Sequence, residues 1–410
     1  MVPQSTATVQ GRAFETRAVL RANIISACNA STLDGSSIQR YRPRSRVSNP
    51  SCTAGKPPLG VQRLDLEWLP NPLQPSKVEG LKPELHCGQT SSRANNPHYQ
   101  RSEPWHLSYS KIPTMAKIDK QDIHPDVYRL FDRYVHSKME RRDFIERLGA
   151  YAVGGLTVTG ILDYLQPKYD TAVQIQPGDP RIQSDYVFYN SPDGGGEIRA
   201  LLVRPTQTTD VKAGGVLVVH ENRGLNPHIE DVARRAAVAG FVALAPDALW
   251  PLGGYPGNDD DGRALQQQRD RDDMLEDFIA GYGFLRDHEA TNGKVGVVGF
   301  CFGGSIANSM AVRLPDLAAS VPFYGGQPDA AEVPDIQAPL QLHYAGLDER
   351  VNAGWPDYAA ALLREGKQHS AHIYSGVQHG FHNDTTPRYD ERAAQLAWNR
   401  TVDFFTYYLS

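Results

Sequence analysis

Short apolar runs alternate with amphipathic stretches along the second half of the chain. Runs that fit buried strands and stretches that fit helices occur at residues 215–220, 229–239, 241–245, 295–298, 305–312, 318–324, 340–345, 372–374 and 391–408. Continuous apolar runs are typical of parallel strands that are covered on both faces. The alternation predicts an α/β fold, with a mostly parallel, doubly wound sheet and helices on both faces.

A different pattern precedes this alternation. Apolar and polar residues alternate along residues 184–190 and 197–204, on either side of the turn sequence Ser-Pro-Asp-Gly-Gly-Gly. Alternation with a period of two around a glycine-rich turn predicts an antiparallel hairpin at a sheet edge.

Residues 123–164 have a helical pattern. Val127 and Phe131 share one face, and Phe144 and Leu148 lie on another at spacings of three and four. This periodicity predicts two helices that lead into the α/β domain.

The same segment contains Arg141-Arg142 before the glycine-rich apolar stretch 148–162, which resembles a twin-arginine export signal. Asp163 ends that stretch, the charged residues before it are themselves helical, and no clear small-residue cleavage site follows. We therefore favour an amphipathic helix docked on the α/β domain of a cytoplasmic protein. Export to the periplasm through this segment is the alternative.

Composition divides the chain into different parts. Residues 1–114 carry 14 Lys and Arg against 7 Asp and Glu, are rich in Ser, Pro and Asn, and have no sustained period. Such a segment is expected to be disordered, or to be an extension created by an over-long start assignment. The predicted division is this extension, a helical lead-in at 115–165 and the α/β domain at 166–410.

The charge and the cysteines limit the classes of function. A net charge of −5 gives no reason to expect a nucleic-acid partner, and no run of eighteen apolar residues predicts a membrane span. Cys301 is the one cysteine of the predicted α/β domain, so a disulfide framework is not expected there. The oligomeric state is left open by the sequence.

Cys301 lies in Gly-Phe-Cys-Phe-Gly between a predicted strand and a predicted helix. This spacing is the nucleophile-elbow pattern with Cys in place of Ser. Gly299 and Gly303 leave room for the sharp turn, and the helix that follows points its amide groups at the sulfur, which favours the thiolate. A small buried cysteine that only packs is the alternative.

A cysteine nucleophile needs a base and a group that orients the base. In sheets of this kind these residues follow later strands, in the order nucleophile, acid, histidine. Asp348 and His379 satisfy that order, while His343 lies inside a predicted strand and His382 lies farther from a strand end. The predicted triad is Cys301, His379 and Asp348.

The oxyanion formed by thiolate attack needs backbone donors. The amide of Phe302, directly after the nucleophile, is one candidate. The amide of Asn222, in the loop after the strand at 215–220, is the other.

These motifs together resemble the dienelactone hydrolase (carboxymethylenebutenolidase) family of α/β-hydrolases over about residues 186–409. A bacterial branch of uncharacterised hydrolases is similar also in the lead-in and in residues 379–388. The resemblance implies an α/β-hydrolase fold, a carboxylic ester hydrolase without metal or organic cofactor, and a role for Glu221 in thiolate activation. Alternatively, Glu221 is a buried carboxylate that caps the following helix.

The sequence departs from this family at a position that binds the carboxylate of the substrate. The family holds that group with two arginines, and Asn383 stands where one of them is expected. Arg223 is then the first candidate for a replacement, and neutral esters should compete with dienelactone. A non-catalytic binding protein with the same fold, a serine-like lipase or peptidase, and a broader carboxylesterase are the alternative functions.

Overall fold

The computed structural model describes residues 118–207 and 212–410, so the predicted disorder of residues 1–114 lies outside the described part of the chain. Eight strands form one sheet in the order β1-β2-β4-β3-β5-β6-β7-β8. In chain order they are β1 Ile182–Ser191, β2 Gly196–Pro205, β3 Ala213–Val219, β4 Val242–Pro246, β5 Thr291–Phe300, β6 Ala319–Phe323, β7 Leu340–Ala345 and β8 His369–Tyr374.

The first two strands form the predicted edge hairpin. β1 pairs with β2 antiparallel, and β2 also meets β4 antiparallel. All other neighbouring pairs are parallel. The prediction of a mostly parallel α/β sheet is therefore confirmed.

Helices surround the sheet and extend the chain before it. The α-helices are α1 Pro125–His136, α2 Arg141–Leu148, α3 Val158–Leu165, α4 Tyr169–Ala172, α5 Pro227–Val238, α6 Asp259–Gln266, α7 Arg271–Arg286, α8 Phe302–Arg313, α9 Glu349–Asn352, α10 Trp355–Arg364 and α11 Glu391–Leu409. Short 3-10 helices occur at Lys120–Asp122, Gly149–Tyr151, Trp250–Leu252 and Val333–Asp335.

The sheet has an apolar core on each face. On one face α7, α8 and α10 bury side chains such as Phe278, Ile306 and Leu362. On the other face α5 and α11 bury side chains such as Val232 and Phe405. Strand residues on the two faces alternate between these cores, which explains the continuous apolar runs in the sequence.

The lead-in differs from its prediction in the number of helices. Three α-helices, α1 to α3, occupy the segment in which two were expected. Gly154 and Gly155, with positive φ angles of 65° and 93°, lie in the turn between the 3-10 helix Gly149–Tyr151 and α3, where the helical backbone is interrupted. The apolar faces of α1 and α2 meet, because Val127, Phe144 and Leu148 are buried in one cluster.

Polar contacts dock the lead-in on the α/β domain. The Tyr134 hydroxyl donates to Asp260 at 2.9 Å, and the same carboxylate pairs with Arg141. The side-chain amide of Asn222 donates to the carbonyl oxygen of Val135, near the end of α1, at 2.7 Å. The lead-in thus packs against the α/β domain, and one of the two signal-like arginines contacts that domain.

Candidate active site

Cys301 occupies a sharp turn between β5 and α8. Its φ of 57° and ψ of −111° are unusual for a residue with a side chain, and its amide donates to the carbonyl of Phe323 at 3.1 Å. A Cβ added to Gly299 would lie 1.9 Å from the carbonyl oxygen of Gly303, and one added to Gly303 would lie 2.3 Å from that of Val219. Glycine is therefore required on both sides of this turn.

Asp348 and His379 form a buried pair at the same edge of the sheet. Asp348 follows β7 and caps α9 by accepting the Val351 amide at 3.1 Å, while His379 follows β8. His379 Nδ1 lies 2.5 Å from Asp348 Oδ2, and a ring nitrogen of His379 lies within 4.8 Å of Cys301 Sγ. Nδ1 of His379 is hydrogen-bonded to Asp348. The other ring nitrogen, Nε2, has no hydrogen-bond partner in the described chain.

Electrostatic coupling shifts both members of this pair. Burial by itself would lower the pKa of His379, but the charge of Asp348 and the interaction with Cys301 raise it above its ordinary value. Burial would raise the pKa of Asp348, yet the charge and hydrogen bond of His379 lower it. The pair therefore stabilises an imidazolium beside the sulfur.

The alternative histidines lie elsewhere. His343 is buried in β7, with Nδ1 2.9 Å from the Tyr374 hydroxyl. His382 is buried against Phe300, with ring centroids 4.9 Å apart. Of the three candidates, His379 is the one that contacts Asp348.

The lead-in adds a second histidine to the site. His136, the last residue of α1, places Nε2 3.0 Å from Cys301 Sγ. Its ring meets that of His379 edge to face, with centroids 4.6 Å apart. Side-chain nitrogen and sulfur atoms of His136, Cys301 and His379 all lie within 4.8 Å of one another.

Glu221 lies in a buried group of charges rather than at the end of a helix. Its Oε2 accepts the Asn383 amide at 2.9 Å, and the helix that follows, α5, is capped by Asn226 instead. Burial would raise the pKa of Glu221, but the charges of Arg223 and other nearby cations lower it. The alternative that Glu221 caps this helix is therefore wrong.

A cavity of about 410 Å³ opens beside Cys301. Asn222 and Phe302 border it, whereas Arg223 and Asn383 do not. Arg223 is buried in an ion pair with Asp259 at 2.7 Å, and the Asn383 side chain is committed to Glu221 and Thr385. The two residues that we expected to bind substrate thus face other partners, because both are buried in polar networks that the sequence does not reveal.

The walls of this cavity are cationic. They include Arg263, Arg269, Arg271 and Arg350, and no described carboxylate lines them. Arg269 is paired with Asp277 at 2.9 Å and Arg350 with Asp132 at 3.2 Å. Arg263 and Arg271 have no carboxylate within ion-pair distance among residues 118–207 and 212–410, so they remain available to an anionic ligand.

Comparison with known proteins agrees with this architecture. The family model described as "Dienelactone hydrolase family" matches residues 198–409. The chain belongs to this family. A second model, described as "YqhI-like", matches residues 115–153, which include α1 and α2.

Individual relatives of this dienelactone hydrolase family member match part of the chain. "Putative hydrolase fragment YghX" of Escherichia coli is 56% identical over 115 residues, which are 28% of this chain and 97% of the relative. "Putative carboxymethylenebutenolidase" of Saccharolobus solfataricus is 30% identical, over 53% of this chain and 96% of its own. A solved structure titled "Putative Dienelactone Hydrolase" from Klebsiella pneumoniae is 24% identical with a TM-score of 0.48, over 55% of this chain and 98% of that one.

Membership of the family makes the chain a hydrolase that acts on ester or lactone bonds, with the α/β-hydrolase fold. The helices in the described part of the chain are all too short or too polar to cross a membrane.

Sequence reasoning missed His136 and its neighbour Asp132. Both lie on α1 with a spacing of four, so they share one helix face. That spacing was the available signal, but nothing in the sequence indicated that the end of α1 meets the sulfur of a residue 165 positions later.

Proposed function

We propose that the protein cleaves small esters or lactones through a cysteinyl acyl-enzyme. Cys301 is the nucleophile, His379 exchanges the protons and Asp348 orients His379. The observation that carries the proposal is the strained turn at Cys301, with an imidazole–carboxylate pair within reach of its sulfur.

The thiolate attacks the carbonyl carbon and moves the carbonyl electron pair onto oxygen. The amide of Phe302, in the first turn of α8, and the backbone amide of Asn222 are the proposed donors to this oxyanion. The departing alkoxide takes a proton from the imidazolium beside the sulfur and leaves as the alcohol, and the acyl group stays on sulfur. A water molecule then gives a proton to His379, attacks the thioester and releases the acid.

The cavity supports a substrate that carries a carboxylate. Arg263 and Arg271 offer guanidinium groups without a carboxylate partner in the described chain, and charge-assisted bonds to a carboxylate are stronger than neutral ones. Our expectation that neutral esters compete rested on the position of Asn383, and its side chain faces Glu221 instead. A broader carboxylesterase, the alternative, would hydrolyse neutral and anionic esters equally well.

Purified wild type, Cys301→Ala and Cys301→Ser should be assayed on a panel of small esters and lactones. We expect Cys301→Ala to lose at least about a thousandfold in kcat, because triad residues act as a unit. Cys301→Ser should also be poor, since a hydroxyl needs more help from a base than a thiol does. Equal turnover by wild type and Cys301→Ala, with melting temperatures matched, would exclude this mechanism.

A further inference from the structure

Two histidine–aspartate pairs converge on the sulfur of Cys301. One is His379 with Asp348, from the α/β domain. The other is His136 with Asp132, from the lead-in helix α1. His136 Nδ1 lies 3.0 Å from the carboxylate Oδ1 of Asp132 and 2.9 Å from its backbone carbonyl oxygen.

This geometry fixes the role of each ring nitrogen of His136. The backbone carbonyl oxygen of Asp132 accepts a hydrogen bond from Nδ1, so Nδ1 carries a proton. In the neutral imidazole Nε2 is then an acceptor, and it lies 3.0 Å from Cys301 Sγ. That is a hydrogen-bond distance for a thiol that donates to a base.

A partly buried carboxylate lies beside the His136 ring. Asp132 is itself shifted: burial would raise its pKa, but the hydrogen bond with His136 and the charges of His379 and Arg350 lower it well below its usual range. Asp132 is therefore a carboxylate near neutral pH and stabilises positive charge on His136. The ionisable groups around His136 come from α1, the elbow, the loop after β8, α9 and α6: Asp132, Cys301, His379, Arg388, Arg350 and Arg263.

We propose that His136 is a catalytic residue that deprotonates Cys301, and that Asp132 positions it. This inference rests on the proposed function, because it requires Cys301 to be the nucleophile. In this step the S–H bond breaks, the proton moves to His136 Nε2 and the electron pair stays on sulfur. It also assigns a role to the segment that matches the second family model, since residues 115–153 contain both His136 and Asp132.

With His136 as the base for the thiol, the proton transfers that the proposed function gives to His379 alone are divided between the two histidines. When sulfur attacks and the C–O bond breaks, the departing alkoxide takes the proton from His136 Nε2. Water then adds to the thioester, gives its proton to His379 and expels the thiolate. The proton on His379 then returns to the sulfur, which restores the Cys301 thiol and the two neutral imidazoles.

Glu221 does not take this role in the structure. Its carboxylate accepts the amide of Asn383, whereas His136 Nε2 is the side-chain partner of the sulfur among the described residues. In this proposal His136 takes the role in thiolate activation that the family resemblance implied for Glu221.

The test measures the thiolate directly, without ester substrate. Alkylation of Cys301 by iodoacetamide, followed by mass spectrometry of its peptide, separates it from Cys28, Cys52 and Cys87. At pH 6 we expect His136→Gln to be alkylated at least about tenfold more slowly than wild type, because an unassisted thiol ionises only near pH 8.5. Asp132→Asn should slow alkylation in the same direction.

His124→Gln is the matched control, because His124 lies at the other end of α1 and is exposed. It should keep the alkylation profile of wild type, and all variants should be compared at equal melting temperature. An unchanged profile in both His136→Gln and Asp132→Asn would overturn the role of His136. If Cys301→Ala also kept wild-type hydrolysis, the proposed function itself would fail. Loss of hydrolysis in Cys301→Ala with unchanged alkylation in the α1 variants would refute only this inference.

Discussion

At the scale of single residues, the turn at Cys301 depends on the absence of a side chain at its neighbours. Gly303→Ala would place a methyl group 2.3 Å from the carbonyl oxygen of Val219, a backbone atom that cannot move aside without disturbing β3. We expect the variant to lose at least about 2 kcal/mol of stability and most of its activity. Melting curves and ester turnover measure both effects.

Gly283→Ala is the control for this substitution. Its added Cβ would meet nothing within 4 Å, and it lies inside α7. It should be neutral, or stabilising by about 0.5–1 kcal/mol, since alanine favours helix over glycine. If Gly303→Ala behaved like Gly283→Ala, the steric account of the elbow would be wrong.

A second prediction at this scale concerns the substrate carboxylate. Arg271→Gln removes a guanidinium that lines the cavity, donates to the Ser309 hydroxyl at 3.2 Å and has no carboxylate partner in the described chain. We expect kcat/KM for a carboxylate-bearing lactone to fall by roughly ten- to hundredfold, the equivalent of about 1.5–3 kcal/mol for a charge-assisted contact. A neutral ester of similar size should be little affected.

The control for this comparison of two substrates is a charged arginine that is remote from the cavity. Arg313 on α8 is such a residue, because it pairs with Glu276 at 2.8 Å on the surface. Arg313→Gln should leave both substrates unchanged. An equal loss on the two substrates in Arg271→Gln would show that this side chain does not select the carboxylate.

At the scale of elements, the lead-in helices contribute to the site through their own apolar cluster. Leu148 is fully buried between α1, α2 and α3. Leu148→Ala should cost about 2–5 kcal/mol and reduce activity, because the cavity left behind loosens the helix that carries His136. Val153→Ala, at a position 66% exposed in the same segment, should change neither property. If Leu148→Ala were destabilised but kept wild-type activity, the lead-in helices would not contribute to catalysis.

The elements differ in how far the sequence predicts them. β5, the elbow and α8 follow from local signals, since an apolar run, two glycines and a helical period are all contained in adjacent residues. The sequence predicts that the lead-in is helical but not that it contains three helices. The apolar spacing continues across Gly154 and Gly155, whose backbone interrupts the helical conformation.

The site residues also differ in how far the sequence predicts them. Asp348 and His379 could be inferred because their order along the chain follows from the order of parallel strands. His136 could not be inferred from the sequence, since its contact with Cys301 depends on how α1 docks on the α/β domain. Asn383 and Arg223 were expected to meet substrate, but the direction of a buried polar side chain depends on partners that are distant in sequence, here Glu221 and Asp259.

At the scale of the whole molecule, buried carboxylates couple stability to pH. Asp384 pairs with Arg235 and with His228, and accepts the Gln174 amide at 2.7 Å. Burial would raise the pKa of Asp384, but the hydrogen bond and charge of His228, with the charge of Arg235, lower it far below its ordinary value. Such a group stabilises the fold above its unfolded pKa of about 3.9, and that contribution is lost as pH falls through the lower folded pKa.

Asp384→Asn should therefore be less stable than wild type at pH 7 by about 1–3 kcal/mol. The difference should shrink as pH falls from about 4 toward the lower folded pKa of Asp384, where the folded wild type also loses this charge. Asp163→Asn is the control, because that carboxylate is exposed and lies 3.6 Å from Lys168. Denaturant unfolding at several pH values gives the comparison. A pH-independent difference would show that Asp384 acts through packing rather than charge.

The central claim is that Cys301 forms an acyl-enzyme, and trapping the acyl group tests it most directly. An activated acetyl ester is mixed with the full chain, the reaction is quenched in acid within the first turnovers, and the peptide that contains Cys301 is weighed. The account predicts an added acetyl mass on that peptide in wild type, a larger fraction in His379→Ala because deacylation slows, and none in Cys301→Ala. Rapid hydrolysis by Cys301→Ala, or acetyl groups on Cys28, Cys52 or Cys87 with none on Cys301, would contradict it.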